Sequence, residues 1–327
     1  MADERPRIGI SACLLGAAVR FDGGHKRDPF LVETVGPFVE WVPVCPEDEA
    51  GFGTPREPMR LQFVGLPRTI DAAGAELPAL VMTRTGEDVT ARLLRWTRRR
   101  VAELVRVGLS GYVLKKDSPS CGMARVRVYH PSGRVERVGS GIFAAELMRR
   151  FPDLPVEEEG RLSDPGLREN FIERVFAHRR LRRLFETGWT RGDLVRFHTA
   201  HKLTLMAHSP SAYRTLGRLV AGARTLSRRA LESEYRMGFM GALRALATPA
   251  RQTNVLQHMM GYFKRTLDAD ARGELLSVIQ DYRRGLVPLI VPMTLIRHHV
   301  RRVGVPYLEG QVYLEPAPRE LALRNHV

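Results

Sequence analysis

The chain of 327 residues is 44% hydrophobic and 27% charged with a formal net charge of +15, an ordinary globular composition long enough for two domains and a sizeable core. No basic start runs into a continuous apolar stretch, and no apolar segment approaches the roughly eighteen residues that span a bilayer, which argues against a secretory signal or a membrane helix. The three cysteines, an odd number, argue against a secreted disulfide scaffold, so the expected location is cytoplasmic.

Arg7 to Ala12 is a strand-like run closed by Cys13. Asp28-Pro29 opens a short helical stretch, and Phe38 to Val44 is a second strand, closed by Cys45. Arg60 to Gly65 and Val81 to Thr83 are further strand candidates. From Thr90 to Val107, Leu93, Leu94, Val101, Leu104 and Val105 form a helical stripe with Thr90 as N-cap and Gly108 as stop. Gly111 to Lys116 reads as a central strand, and Val126 to Tyr129 with Arg134 to Val138 reads as a hairpin across Pro131-Ser132-Gly133. This order predicts an α/β domain over residues 1–155, with a mostly parallel, Rossmann-like sheet and helices on both faces.

Periodicity breaks near residues 152–166, where Pro152, Pro155, the acidic run Glu157 to Glu159, Gly160 and Asp164-Pro165 cluster. Residues 165–327 then read as a separate all-α domain. Apolar residues recur at helical spacing over Leu167 to Thr187, Thr190 to His208, Ser211 to Leu226, Ser227 to Leu246, Ala250 to Leu267, Ala271 to Arg284 and Leu286 to Val303, and the tail from Gly304 lacks clear regularity. Charge divides at the same place. Residues 1–160 hold 23 Lys/Arg against 22 Asp/Glu, whereas residues 161–327 hold 28 against 14. A GC-rich genome explains Arg in place of Lys, but not a two-to-one basic excess in one half, so a polyanion partner for the second half is expected.

Each cysteine closes a strand-like run and opens a loop rich in Gly, Pro or Ser. In an open parallel sheet such loops share one edge, so Cys13, Cys45 and Cys121 read as one metal site with a coordination position left open. Inert buried thiols are the plain alternative, because the spacings match no short metal motif. His198 and His201 share a helix face without an acidic or Cys partner at ligand spacing, so packing or phosphate contact is their expected role.

Several segments resemble the thiouracil desulfidase (TudS) family: Ser11-Ala12-Cys13-Leu14-Leu15-Gly16, Val19-Arg20-Phe21-Asp22-Gly23-Gly24-His25-Lys26, Val44-Cys45-Pro46-Glu47, Pro55-Arg56-Glu57-Pro58, and Leu114-Lys115-Lys116-Asp117-Ser118-Pro119-Ser120-Cys121-Gly122. The second half, through Phe197-His198-Thr199-Ala200-His201-Lys202-Leu203, Leu205-Met206-Ala207-His208 and Tyr213-Arg214-Thr215-Leu216-Gly217, is similar to the helical domain fused to such modules in YbgA-type proteins and in RudS-type tRNA 4-thiouridine desulfidases.

The resemblance implies a 4Fe-4S cluster on Cys13, Cys45 and Cys121, with the fourth iron open to the sulfur of a thiolated pyrimidine. It implies Glu47 as the carboxylate that activates water and Ser118 as a second catalytic group. Asp22, Lys115 and Lys116 are candidates for base or phosphate contacts. Arg179, Arg180, Arg182, Arg183, Lys202, Arg228, Arg229 and the pair Arg301-Arg302 are candidates to track a tRNA backbone. The expected function is iron-sulfur-dependent, non-redox hydrolysis of 4-thiouridine in tRNA, with sulfide release. Rival readings are a desulfidase of free thiouracil or thionucleosides, an iron-sulfur nucleic-acid-binding regulator, and zinc on the same thiolates. The sequence leaves the oligomeric state open.

Overall fold

The computed structural model describes residues 5–63, 78–186 and 188–326, so Gly65 and Thr187, the ends of two expected elements, lie outside the described residues. The chain divides between Ser163 and Asp164 into two compact units. Among the described residues no helix is long and apolar enough to cross a membrane.

The first unit runs β1 (Arg7–Ser11), β2 (Glu40–Val44), β3 (Met59–Gln62), β4 (Ala79–Met82), α1 (Thr90–Val107), β5 (Gly111–Leu114), β6 (Val126–Tyr129), β7 (Val135–Gly139), α2 (Ile142–Arg150) and β8 (Val156–Glu158). The expected parallel sheet is present as one of two: the strands form two four-stranded sheets, ordered β2-β1-β5-β8 and β4-β3-β6-β7. The first is parallel throughout, with Ile8 opposite Trp41 on one side and Gly111 on the other. The second is mixed, since β3 runs antiparallel to β4 but parallel to β6, and β6 turns back on β7.

Burial explains the division. All four residues of β5 are buried, as a strand covered on both faces requires, whereas β6 alternates buried Val126 and Val128 with exposed Arg127. The parallel sheet packs closely at Gly9, where a Cβ would stand 2.2 Å from the ring of Tyr112. Tyr112 lies 5.7 Å from Phe143 of α2, which lies 6.0 Å from Trp96 of α1, so both helices close one core.

Three local expectations change. The second strand begins at Glu40 because Gly36–Phe38, with its proline, forms a helical turn. Thr90 is the first residue of α1, not its cap, and its hydroxyl accepts a hydrogen bond from Leu80 N at 2.7 Å, tying helix to strand. The acidic run read as an interruption forms β8, where Glu157 and Glu158 are buried. Arg161 donates to Glu157 at 2.6 Å, and Met123 N donates to Glu158 at 2.8 Å.

The second unit is helical: α3 (Pro165–Glu186), α4 (Arg191–Ala200), α5 (Lys202–His208), α6 (Pro210–Ala221), α7 (Arg228–Leu243), α8 (Pro249–Met260), α9 (Ala269–Arg283), α10 (Ile290–Val303) and α11 (Pro306–Glu309). Side-chain caps begin six of these, α3 through Asp164, which accepts from Leu167 N at 2.9 Å. Thr190 and Asp193 form a capping box, and Ser209, Ser227, Thr248 and Asp268 each accept a hydrogen bond from a first-turn amide. The expected single run from Thr190 to His208 breaks at His201, whose amide meets the carbonyls of both Phe197 and His198. The tail forms α11 and two helical turns that bury Tyr313 and Leu321.

Candidate active site

The loops that follow β1, β2 and β5 meet at the carboxyl edge of the parallel sheet, where strand order reverses between β1 and β5 and open α/β sheets bind ligands. A cavity of about 380 Å³ lies there, within the usual range for small-molecule sites. Its walls include Cys13, Cys45, Glu47, Ser118, Ser120 and Cys121.

The loop after β5 is seated by α2. The amides of Ile142, Phe143 and Ala144, in the first turn of α2, donate to the carbonyls of Pro119 and Ser120 at 3.0–3.2 Å. Gly141 makes this approach possible, because a Cβ there would stand 2.4 Å from the carbonyl carbon of Ser120. Within the loop, Ser118 Oγ accepts from the amides of Ser120 at 3.3 Å and Cys121 at 3.1 Å.

A chain of hydroxyls leads from this loop to Glu47. Ser120 Oγ donates to Glu47 Oε1 at 2.6 Å and lies 3.0 Å from Ser118 Oγ. With the Ser120 proton committed to Glu47, the proton between the serines belongs to Ser118, so the line runs Ser118, Ser120, Glu47. Arg56 fixes the other carboxylate oxygen: its Nε donates to Glu47 Oε2 at 2.9 Å and a second nitrogen pairs with the same atom. Arg56 also donates to Val19 O at 3.0 Å and Gly53 O at 2.9 Å, and its side chain is only 4% exposed. Ser120 and Arg56 lie within the family-like motifs without an expected role; a hydroxyl two residues from Ser118 is the sequence signal for the first.

The remaining expected site residues divide. Lys115 and Lys116 line the cavity, but Lys115 Nζ pairs with Glu159 and donates to Lys116 O at 3.2 Å. Asp22 does not line the cavity; it holds a turn through Gly24 N at 3.1 Å and faces Arg20 at 3.5 Å. Phe21, 40% exposed, lines the cavity and offers a flat apolar face there.

In the second unit, Arg179 is buried and faces Glu186 at 3.7 Å, Arg182 pairs with Glu186 at 3.0 Å, and Arg180 donates to Pro316 O at 2.6 Å. Arg183 and Arg229 are exposed, and Arg228 lies over the Trp189 ring at 5.7 Å. Lys202 is half-buried beside a groove between helices.

The expected 4Fe-4S cluster is corrected. The three cysteines share a cavity, yet among the described residues no three His, Cys, Asp or Glu side chains form a group that could hold a metal ion. Burial pushes Cys13 up to about 11, with the neighbouring Cys45 adding to the shift. Burial likewise raises Cys45, and raises the fully enclosed Cys121 further. All three are therefore protonated thiols at neutral pH. Cys45 Sγ donates to Val19 O at 3.7 Å, and Ser120 Oγ lies 3.8 Å from Cys121 Sγ. The expected iron-sulfur-dependent hydrolysis in tRNA, the iron-sulfur regulator and the zinc site all rested on that ligand set and are corrected with it.

The family described as 2-thiouracil desulfurase matches residues 8–159, and the one described as a protein of unknown function, DUF1722, matches residues 202–318. The chain is 39% identical over 160 residues to the uncharacterized protein YbgA of Escherichia coli (strain K12), covering 48% of this chain and 94% of that protein. It is 32% identical over 143 residues to the uncharacterized protein YbbK of Bacillus subtilis (strain 168), covering 43% of this chain and 88% of that protein. Among solved structures, the 4Fe-4S-dependent thiouracil desulfidase TudS is 31% identical, covering 49% of this chain and 94% of that one, with a TM-score of 0.38.

Proposed function

The chain belongs to the proteins that join a TudS-like desulfidase domain to a YbgA-type helical domain, and from that premise we propose that it hydrolyses the thiocarbonyl of a free thiouracil or thionucleoside, releasing sulfide. The observation that carries this reading is the line Ser118, Ser120, Glu47, anchored by Arg56, at the wall of a cavity sized for one small ring.

The chemistry needs a base for water, a place for the proton and a wall that accepts sulfur. Water attacks the thiocarbonyl carbon and gives a proton to Glu47, while the carbon-sulfur π electrons move to sulfur. Collapse of the tetrahedral intermediate restores a carbonyl, breaks the carbon-sulfur bond and expels sulfur. Glu47 passes that first proton to sulfur, either directly or along the serine hydroxyls, and as the carbonyl re-forms it takes the remaining hydroxyl proton and delivers it to the departing hydrosulfide, so that both protons of water end on sulfur and the products are the carbonyl compound and hydrogen sulfide. Neutral thiols of Cys13 and Cys45 supply polarizable contacts that suit sulfur better than oxygen. Phe21 offers the base a stacking face. A tRNA partner for the helical unit is supported by its net positive charge alone.

The test is sulfide release and loss of the near-ultraviolet thiobase band when the full chain is incubated with 2-thiouracil, 4-thiouracil, 4-thiouridine or thiolated tRNA. Turnover of at least one small substrate is expected, and Glu47→Gln should lower kcat by roughly a hundred- to ten-thousand-fold, the usual contribution of a general base. Sulfide from thiolated tRNA alone, or from none of the four, overturns the reading.

A further inference from the structure

Within the helical unit, α4, α5 and α6 border a groove of about 1010 Å³ that desulfidation does not use. It carries Arg191, Lys202, Arg214, Arg218 and Arg224, and among the described residues no Asp or Glu lines it. Arg191 is committed to the carbonyls of Ala223 at 2.8 Å and Leu226 at 2.9 Å. The side chains of the other four make no hydrogen bond or ion pair among the described residues. Four unneutralised cations along one groove repel one another, and an anion between them relieves that repulsion.

A second, independent feature points into the same space. His198 lines the groove yet is only 3% exposed, and its Nε2 has no partner. Its other nitrogen, Nδ1, lies 3.2 Å from the hydroxyl of Tyr235, which is fully buried. Burial keeps that phenol protonated, and Nδ1 is the hydrogen-bond partner in reach of its proton. Burial, aided by the charge of Lys202, pushes His198 down to about 4, so the ring is neutral at pH 7. A neutral ring that accepts at Nδ1 carries its hydrogen on Nε2. Beside it stands Gly217, where a Cβ would lie 3.9 Å from Nε2, so no side chain from that position covers the buried donor on the groove side.

We propose that this groove is a phosphate-binding site, in which His198 Nε2–H and the side chains of Lys202, Arg214, Arg218 and Arg224 receive the phosphate of a nucleotide or free phosphate. A buried donor framed by cations, without a carboxylate, suits an anion with several acceptor oxygens and near-double charge. Tyr213 supplies a flat neighbour: its ring is parallel to His198 within 5°, with centroids 6.5 Å apart.

The experiment is calorimetric titration of the full chain at low ionic strength with inorganic phosphate, uridine 5′-monophosphate and uridine. Both phosphate-bearing probes should bind. Tighter binding of the monophosphate identifies a nucleotide site, and equal binding identifies a site for phosphate itself. The double variant Arg214→Ala/Arg218→Ala should weaken binding roughly tenfold or more. Gly217→Val should weaken it as much by filling the space before Nε2, and its unfolding midpoint should not fall, because valine suits a helix better than glycine. Absence of phosphate binding, binding of uridine equal to that of the monophosphate, or wild-type affinity in either variant overturns the assignment.

Discussion

The two loop serines hold different positions, and each position sets a separate outcome. Ser120 is 1% exposed and links Ser118 to Glu47, so Ser120→Ala removes the relay but leaves the loop's amide contacts with Ser118 in place. Its kcat on thiouracil should fall roughly tenfold with little change in KM, as for one lost hydrogen bond to a charged group. Ser118→Ala instead leaves two loop amides without their acceptor, so a raised KM and a lower unfolding temperature should accompany any loss of kcat. Steady-state kinetics on both variants checks the split, and identical profiles would remove the distinction. Sequence placed Cys13, Cys45 and Cys121 after strands, and they do line one cavity. Their protonation was not legible, because it follows from burial that spacing does not encode.

At the level of elements, α3 is the clearest departure from pattern. Its residues from Phe171 to Arg179 are buried, and among them Glu173 faces His208 of α5 at 3.5 Å and Arg324 at 3.9 Å. Burial alone would raise the Glu173 carboxyl, but the bond to His208 and the charge of Arg324 hold it down to about 2. A depressed carboxyl stabilises fully above its ordinary value of 4.5 and loses that contribution as pH falls towards about 2. For His208, burial acts downward but the Glu173 contact prevails and raises it, so its contribution is full below 6.5 and is lost as pH rises through the raised value. Helix content followed by circular dichroism should therefore fall between about pH 4.5 and 2, and less steeply in Glu173→Gln. That variant should also be less stable by about 3 kcal/mol in urea, because it leaves buried charge without its partner. A flat acid profile in the unaltered protein would contradict the pair's role. Elements with local signals, such as the stripe of α1 and the helix starts near Thr190 and Ser227, were legible, though not that these two residues cap their helices. The strands of the second sheet were legible singly, and β6 with β7 as a hairpin, but their separation from the parallel sheet was not; nor were β8 with its buried carboxylates and α2, whose start is fixed by carbonyls of a distant loop.

For the whole molecule, charge and chemistry fall on different units. The proposed reaction belongs to the half with 23 basic against 22 acidic residues, although its cavity itself carries Arg20, Lys26, Arg56, Lys115 and Lys116 against Glu47 and Asp117. The excess of 28 over 14 lies in the other half. Salt screens fixed charges over about 10 Å at 0.1 M, so it weakens a charged ligand's binding far more than that of a neutral one. KM for thiouracil should therefore stay within roughly twofold as potassium chloride rises from about 50 to 500 mM, while phosphate affinity in the groove falls steeply over the same range. Binding driven by several backbone phosphates would add a logarithmic slope of about −0.7 to −0.9 for each. A thiouracil KM that climbs with salt as steeply as phosphate affinity falls would place the reacting substrate in the field of the basic unit. That result would sink the reading of a small neutral base acted on at the edge of the parallel sheet.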